Sequence, residues 1–147
     1  MSIEVRQVVA SDRDAWARLF VAYGVFYETT FSDEIVGAVW EWLLDADHEV
    51  SALVAVRDDE VIGFANYRRL FDTFTAASAW NLDDLYVTPE ARGAGAASAL
   101  INGVAAVATA NGGGTLRWIT AENNATAQRV YDTLATRATW VTYERQT

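Results

Sequence analysis

The chain has 147 residues, 52% of them hydrophobic and including six Trp, six Tyr and six Phe, which suits one folded domain with a sizeable core and excludes disorder. It has no cysteine, which removes disulfides, thiolate metal sites and cysteine nucleophiles, and one histidine, so a zinc site or Ser-His triad would rest on His48 alone, in the polar turn "DADHEV". The formal charge of −9 argues against nucleic acid and anionic membranes as partners and is compatible with a cationic substrate. "MSIEVRQVV" lacks the basic start and apolar core of a signal peptide. No apolar run reaches the roughly 18 residues of a membrane span. A soluble cytoplasmic protein without a metal is the expectation.

"IEVRQVV" (3–9) alternates and is rich in β-branched residues, predicting a strand. Ser11 or Asp12 then offers a helix N-cap, and Trp16, Leu19, Phe20, Tyr23 and Phe26 or Tyr27 follow at helical spacing. Ser32 and Asp33 signal a second, shorter helix carrying Ile35, Val36, Val39, Trp40, Leu43 and Leu44. "SALVAVR" (51–57) predicts a buried strand, and "VIGFANYRRLF" (61–71) its hairpin partner across the turn "DDE". "AWNLDDLYV" (79–87) is a further strand. A helix over 93–110 carries Ala97, Leu100, Ile101, Val104, Ala105 and Ala108 on one face. "NGGG" (111–114) ends it, because glycine takes the left-handed C′ conformation without a Cβ penalty. "TLRWIT" (115–120) predicts a strand, 124–135 a helix and "TWVTYER" (139–145) a last strand. The order β-α-α-β-β-β-α-β-α-β, without repeats or linker, predicts a single α/β domain over 1–147. Its sheet is mixed and mostly antiparallel, with helices on both faces.

The stretch "TPEARGAGAASAL" (88–100) joins a strand to a helix with almost no side chains. A Walker loop needs Gly-Lys-Ser/Thr at its end, and there is none. A dinucleotide fingerprint needs a third glycine where Ser98 stands, and an acidic residue ending a strand about twenty residues on. The remaining design is Arg-x-x-Gly-x-Gly/Ala, met by Arg92, Gly95 and Ala97. A helix N-terminus presents unpaired N–H groups and a partial positive charge. Gly93, Ala94, Gly95, Ala96 and Ala97 let an anion approach that backbone, Arg92 can add a charge-assisted bond, and Pro89 fixes the turn. Here the chain resembles the GNAT superfamily of acetyl-CoA-dependent N-acetyltransferases, in which this turn binds the pyrophosphate of coenzyme A. The family's Asn-x-x-Ala-x-x-x-Tyr pattern is met by Asn124, Ala127 and Tyr131. The chain departs from the frequent Gly-Phe after that helix, reading Leu134-Ala135-Thr136. The resemblance implies cofactor contacts along Leu85, Tyr86, Val87, Arg92, Gly93, Ala94, Gly95, Ala96, Ala97 and Ser98. It further implies that Asn124, with Ala127 beside it, reaches the pantetheine amide, and that Tyr131 lies near the sulfur as proton donor to the leaving thiolate. Asn124 is also a favoured helix N-cap in its own right.

An alkyl amine has a pKa of ~10.4, so its free base costs roughly 4–5 kcal/mol at pH 7 and the site must accept a proton. "LDDLYV" puts Asp83 and Asp84 on the strand before the turn. Successive strand residues face opposite ways, so both carboxylates reach one face only if the strand bulges. Members of the superfamily commonly bulge there, exposing N–H groups to the thioester oxygen. The acidic pair, with Glu122 two residues before Asn124, resembles the diamine (spermidine/spermine) acetyltransferases. "FYETTFSDE" (26–34) is similar to their acidic-aromatic wall, which makes Tyr27 and Glu28 further substrate candidates. The resemblance therefore implies transfer of an acetyl group from acetyl-CoA to a small cationic amine, with Asp83 or Asp84 as base. A lysine or N-terminal acceptor on a protein and a non-catalytic acyl-CoA-binding module are the other readings. The apolar last strand and the six tryptophans predict a homodimer.

Overall fold

The computed structural model describes residues 2–147. β1 (Glu4–Gln7), β2 (Val50–Arg57), β3 (Glu60–Asp72) and β4 (Ala77–Val87) pair antiparallel in chain order, and β5 (Leu116–Arg117) adds parallel to β4. Strand side chains alternate between faces, so β2 sends Leu53 and Ala55 into one core and Val54 into another. The first core lies under α3 (Ala96–Ala110), which contributes Leu100, Ile101 and Val104. The second lies under α1 (Arg13–Phe26) and α2 (Asp33–Leu44), where Trp16 stacks on Phe20 at 4.8 Å and meets Trp40 at 5.4 Å. α4 (Ala125–Asp132) leans Tyr131 on the α3 side. Helices thus cover both faces of a mixed, mostly antiparallel sheet. Among the described residues, no helix is long and apolar enough to cross a membrane.

Local chemistry explains the joints. The β2–β3 hairpin turns on Asp58 and Asp59, both at positive φ (53° and 62°), the primed geometry that a twisted hairpin needs and Asp tolerates. Ser32 caps α2 by accepting from the Ile35 N–H at 3.2 Å. α3 closes on Gly112 (φ 106°), and the Gly113 N–H returns to the Ala108 carbonyl at 2.8 Å, a Schellman ending.

Opposite β3, the register of β4 passes from Tyr67–Leu82 to Asn66–Asp84, leaving Asp83 as an extra residue. This bulge resets the alternation. Trp80 and Leu82 before it, and Leu85 and Val87 after it, all point to the α3 side. Tyr86 joins the α1–α2 core instead.

Several expectations from the sequence are corrected. The strand expected over 115–120 keeps its register with β4 only at Leu116 and Arg117, with one further bond from the Trp80 N–H to the Thr115 carbonyl at 2.8 Å, because Trp118 turns aside to pack edge-on against Tyr131, 5.5 Å between ring centres. The strand expected over 139–145 does not form within the chain, so the tenth element of the order is missing. Trp140, Val141 and Tyr143 there are 81%, 76% and 93% exposed. The helix expected from 93 begins at Ala96, since Gly93 and Gly95 both adopt φ 88°, and the one expected to reach 135 ends at Asp132. Asp12 occupies the N-cap position of α1 but does not cap it with its side chain. Its buried carboxylate takes Nη1 and Nη2 of Arg6 at 2.7 and 3.0 Å and the Val9 N–H at 2.8 Å.

The Arg6 fork holds the Asp12 carboxyl below the usual carboxylate range. A depressed folded pKa contributes stability above the unfolded value of about 3.9 and loses it as pH falls through the folded pKa. Arg6→Met is therefore expected to cost about 1.5–3 kcal/mol at pH 7 by urea unfolding. The gap to the wild type should narrow below pH ~4, where Asp12 is protonated in both unfolded chains.

Candidate active site

β4 hands the chain to α3 through a short 3-10 turn, Pro89–Ala91, then Arg92 and the two left-handed glycines. Gly95 is the N-cap of α3 and offers no side chain, and the first intrahelical bond runs from the Ala99 N–H to the Gly95 carbonyl at 3.0 Å. The amides of Ala96, Ala97 and Ser98 therefore lack intrahelical acceptors and face outward from a positive helix end. A Cβ on Gly93 or Gly95 would meet nothing within 4 Å, so it is the backbone conformation that requires glycine. Arg92 ties the turn to β4: its Nε donates to the Val87 carbonyl at 3.1 Å, and its guanidinium stacks 5.3 Å over the Tyr86 ring. Among the described residues its two Nη groups have no partner within the chain.

β4 and β5 share only the pairs Trp80–Leu116 and Asn81–Arg117 and then part. The parting opens a cleft of about 590 Å³ between the turn, the end of β4 and α4. Of the cofactor candidates, Leu85, Tyr86, Val87, Arg92, Gly93, Gly95, Ala96, Ala97, Ser98, Asn124 and Ala127 line it and Ala94 does not. The sequence reading missed Tyr23, Phe26, Ala91, Thr126 and Val130, which also line it. Asn124 does cap α4, accepting from the Ala127 N–H at 3.2 Å, and its amide nitrogen remains for a ligand. The cleft's backbone anion cradle, its single guanidinium and its long apolar floor fit a phosphorylated ligand with an extended apolar arm, as coenzyme A is.

A narrower cleft adjoins the first and shares Tyr23, Tyr27, Leu85 and Tyr131 with it. Asp83 lines it, accepting from Asn81 Nδ2 at 2.7 Å and pairing with Arg68 Nε at 3.2 Å. Asp84 lies deeper. Its Oδ2 accepts from Asn66 Nδ2 at 2.9 Å, and the Asn66 Oδ1 accepts in turn from Trp16 Nε1 at 3.2 Å. The Tyr23 hydroxyl is its other polar neighbour. Burial pushes the Asp84 carboxyl above the ordinary carboxylate range, and the bond from Asn66 and the nearby Tyr23 hydroxyl offset part of that. Burial raises Asp83 too, against Asn81 and Arg68. Burial, with Tyr27 nearby, also raises the Tyr131 phenol, which keeps its proton at neutral pH. The bulge brings both carboxylates to the α1 side, the condition the sequence reading set for their acting together.

Glu28 is exposed at φ 56° beyond the end of α1, and Glu122 is exposed and offers its backbone carbonyl to Gln128 Nε2 at 2.9 Å; neither lines a cleft. His48 accepts from the Val50 N–H at 3.0 Å, stacks on Trp42 at 4.9 Å, and lines neither cleft. Asn66 left a signal: a lone amide inside the buried run "VIGFANY" needs a partner. Tyr23 left none, because its spacing on α1 matches that of the core residues beside it.

An uncharacterised N-acetyltransferase of Bacillus subtilis is 32% identical over 133 residues, covering 88% of this chain and 87% of that protein. A D-amino-acid N-acetyltransferase of Saccharomyces cerevisiae is 28% identical over 145 residues, 97% of this chain and 90% of that protein. A solved aminoglycoside N-acetyltransferase in complex with CoA shares the fold at a TM-score of 0.85 and 23% identity, over 99% of this chain and 95% of that one. The model of the acetyltransferase (GNAT) family matches residues 14–135, so the chain belongs to that family and is an N-acetyltransferase.

Proposed function

We propose that the chain moves an acetyl group from acetyl-CoA to the primary amine of a small cationic acceptor. The observation that carries this is the union of two clefts at Tyr23, Tyr27, Leu85 and Tyr131: one suits a phosphorylated apolar ligand, the other holds the Asp83 carboxylate among aromatic rings. When bound, acetyl-CoA supplies the thioester that the amine attacks. The amides of Ala96, Ala97 and Ser98, with Arg92, hold its pyrophosphate. Asn124 Nδ2 meets the pantetheine arm. Backbone N–H groups of β4 past the bulge face the carbonyl oxygen as negative charge grows there. Tyr23 and Tyr27 offer ring faces to an ammonium, and Asp83 anchors a distal one. Asp84, the more buried carboxylate, takes the proton of the reacting amine by way of the Tyr23 hydroxyl or a water. Tyr131 gives its proton to the departing sulfur.

A second reading rests on Arg68. A guanidinium beside Asp83 offers a charge for the carboxylate of an amino acid whose amine is turned to Asp84. The similarity to a D-amino-acid N-acetyltransferase supports it.

Acetyl-CoA at a hundred times its dissociation constant is expected to stabilise the chain by ~2.7 kcal/mol. Gly95→Glu should remove the thermal shift while leaving the circular dichroism spectrum intact; the absence of any shift in the wild type at millimolar acetyl-CoA would sink the cofactor assignment.

Tyr131→Phe should lower kcat by ~10²-fold or more, the size of a lost proton donor. Acetyl-CoA affinity by calorimetry should barely change, and full activity in the variant would give the proton to another group.

An acceptor panel with CoA release as readout separates the substrate readings. Putrescine and spermidine should outrun a monoamine of equal length, with the advantage shrinking at high salt and in Asp83→Asn. Under the second reading D- or L-amino acids lead instead, and Arg68→Met raises their KM while leaving diamine rates in place. Equal rates on monoamines and diamines would remove the acidic-pocket reading and leave acetyl transfer standing.

A further inference from the structure

Asn66 is 1% exposed and lines neither cleft, so it lies out of a substrate's reach. It stands opposite Asp84 in the β3–β4 register, at the step where the bulge breaks that register. A polar side chain in so apolar a run is costly unless its hydrogen bonds are met. The amide meets them by bridging two elements. Its Nδ2 donates to Asp84 Oδ2 at 2.9 Å, and its Oδ1 accepts from Trp16 Nε1 at 3.2 Å.

The bridge has a direction. An indole N–H only donates, so it faces the amide oxygen and turns the NH2 group to Asp84. A flipped amide would set its oxygen against the carboxylate and its NH2 against the indole N–H, two repulsive contacts. The indole is locked in place: Trp16 is 0% exposed, with the rings of Phe20, Trp40 and Phe64 at 4.8, 5.4 and 6.2 Å between centres. Trp16 and Tyr23 are seven residues apart on α1, about two turns. One face of that helix therefore presents both the indole that holds Asn66 and the phenol that neighbours Asp84.

We propose that Asn66 and Trp16 are positioning residues of acetyl transfer: the buried indole N–H holds the Asn66 amide in the one orientation that donates to Asp84 Oδ2, which leaves Oδ1 as the atom that receives the amine's proton. This rests on the reading of Asp84 as the base. The Asn66 NH2 group has hydrogens to give and no lone pair to offer, so a proton on Oδ2 would meet another proton. Oδ1 takes one proton from the ammonium, the freed electron pair forms the C–N bond as the C–S bond breaks, Tyr131 protonates the sulfur, and the nitrogen's second proton restores the phenol. The same amide donor favours the charged carboxylate against the burial that opposes it.

The acid limb of kcat tests this, read at saturating acetyl-CoA with the fastest amine of the acceptor panel, because it reports the base in the bound complex. The other titratable or charged groups about Asp84 are Tyr23 of α1, Arg68 of β3 and Asp83 of its own strand, and the variants leave all three in place. Asn66→Leu removes a donor to the carboxylate, so its pKa rises. The limb should move up by about one to two pH units, the size of one hydrogen bond to a charged group. Trp16→Phe keeps an aromatic ring in place and frees the amide to turn, so the limb should move the same way by a smaller step. The double variant should match Asn66→Leu alone, because Trp16 acts only through the amide. It also replaces both polar partners by apolar groups, so it folds even where Asn66→Leu strands the indole N–H. KM for acetyl-CoA and the acetyl-CoA thermal shift should hold in all three. In 1H–15N spectra of the wild type, one indole resonance, identified by its loss in Trp16→Phe, should move as pH falls and stop moving in Asp84→Asn. An unmoved limb in the double variant overturns the positioning role, and so does a Trp16 resonance indifferent to Asp84. A limb that persists unchanged in Asp84→Asn overturns Asp84 as the base, and the positioning role with it.

Discussion

One extra residue in β4 decides what the sheet can do. Without the bulge at Asp83, positions 82, 84 and 86 would share a face, and the Asp84 carboxylate would be driven among Leu100, Ile101 and Val104 under α3. With it, apolar residues stay on the α3 side at 80, 82, 85 and 87, and the carboxylates turn toward α1. Fold stability and site chemistry thus ask for the same irregularity. A bulge also bends its strand and increases its twist, and β4 leaves β5 just there, after Asn81. The cleft exists because the two strands cannot stay parallel beyond that point.

The same irregularity sets the electrostatics. Asp84 is drawn deep enough for burial to raise its pKa, yet it is not orphaned, since Asn66 donates to it and Trp16 fixes Asn66 from the other side. A carboxylate left without such donors would cost more than a core of this size tolerates. Asp83 answers differently, with Arg68 and Asn81 as partners at the cleft wall. Two adjacent acids in unlike surroundings are suited to unlike tasks.

Local rules made most of the fold legible. The period of 3.6 over 16–26, the Ser32 cap, the glycine run at 111–114 and the alternation of 51–57 each specify an element without long-range information. The wall of the wider cleft was legible for the same reason: it is a turn and a helix N-terminus, and Arg92, Gly95 and Ala97 sit within six residues of one another. What failed was non-local. "TLRWIT" reads as six strand residues, but where Trp118 goes depends on Tyr131 of a later helix. "TWVTYER" reads as a strand because its composition is that of one, and composition does not say whether a neighbouring strand lies within the same chain. Glu28 and Glu122 are offered by the resemblance to diamine acetyltransferases, whereas membership of a cleft depends on the exit angle of α1 and the path after β5.

The two clefts are joined by contact as well as by shared lining. Arg92, which holds the turn to the Val87 carbonyl, stacks on Tyr86; Tyr86 lies 6.5 Å from Tyr23 by ring centres; and Tyr23 neighbours Asp84. An anion drawn to Arg92 therefore acts on a residue that already braces the aromatic wall beside the carboxylate. Each link is a ring contact or a polar contact of side chains held by core packing, since Tyr23 also meets Phe20 and Phe64. That arrangement limits how far Tyr23 can move when a ligand arrives, and it keeps the phenol within reach of both the Asp84 oxygen and the junction of the clefts. A wall held this firmly suits an acyl transfer between two bound partners, because a reacting pair kept about 3–3.5 Å apart avoids most of the entropy cost of meeting.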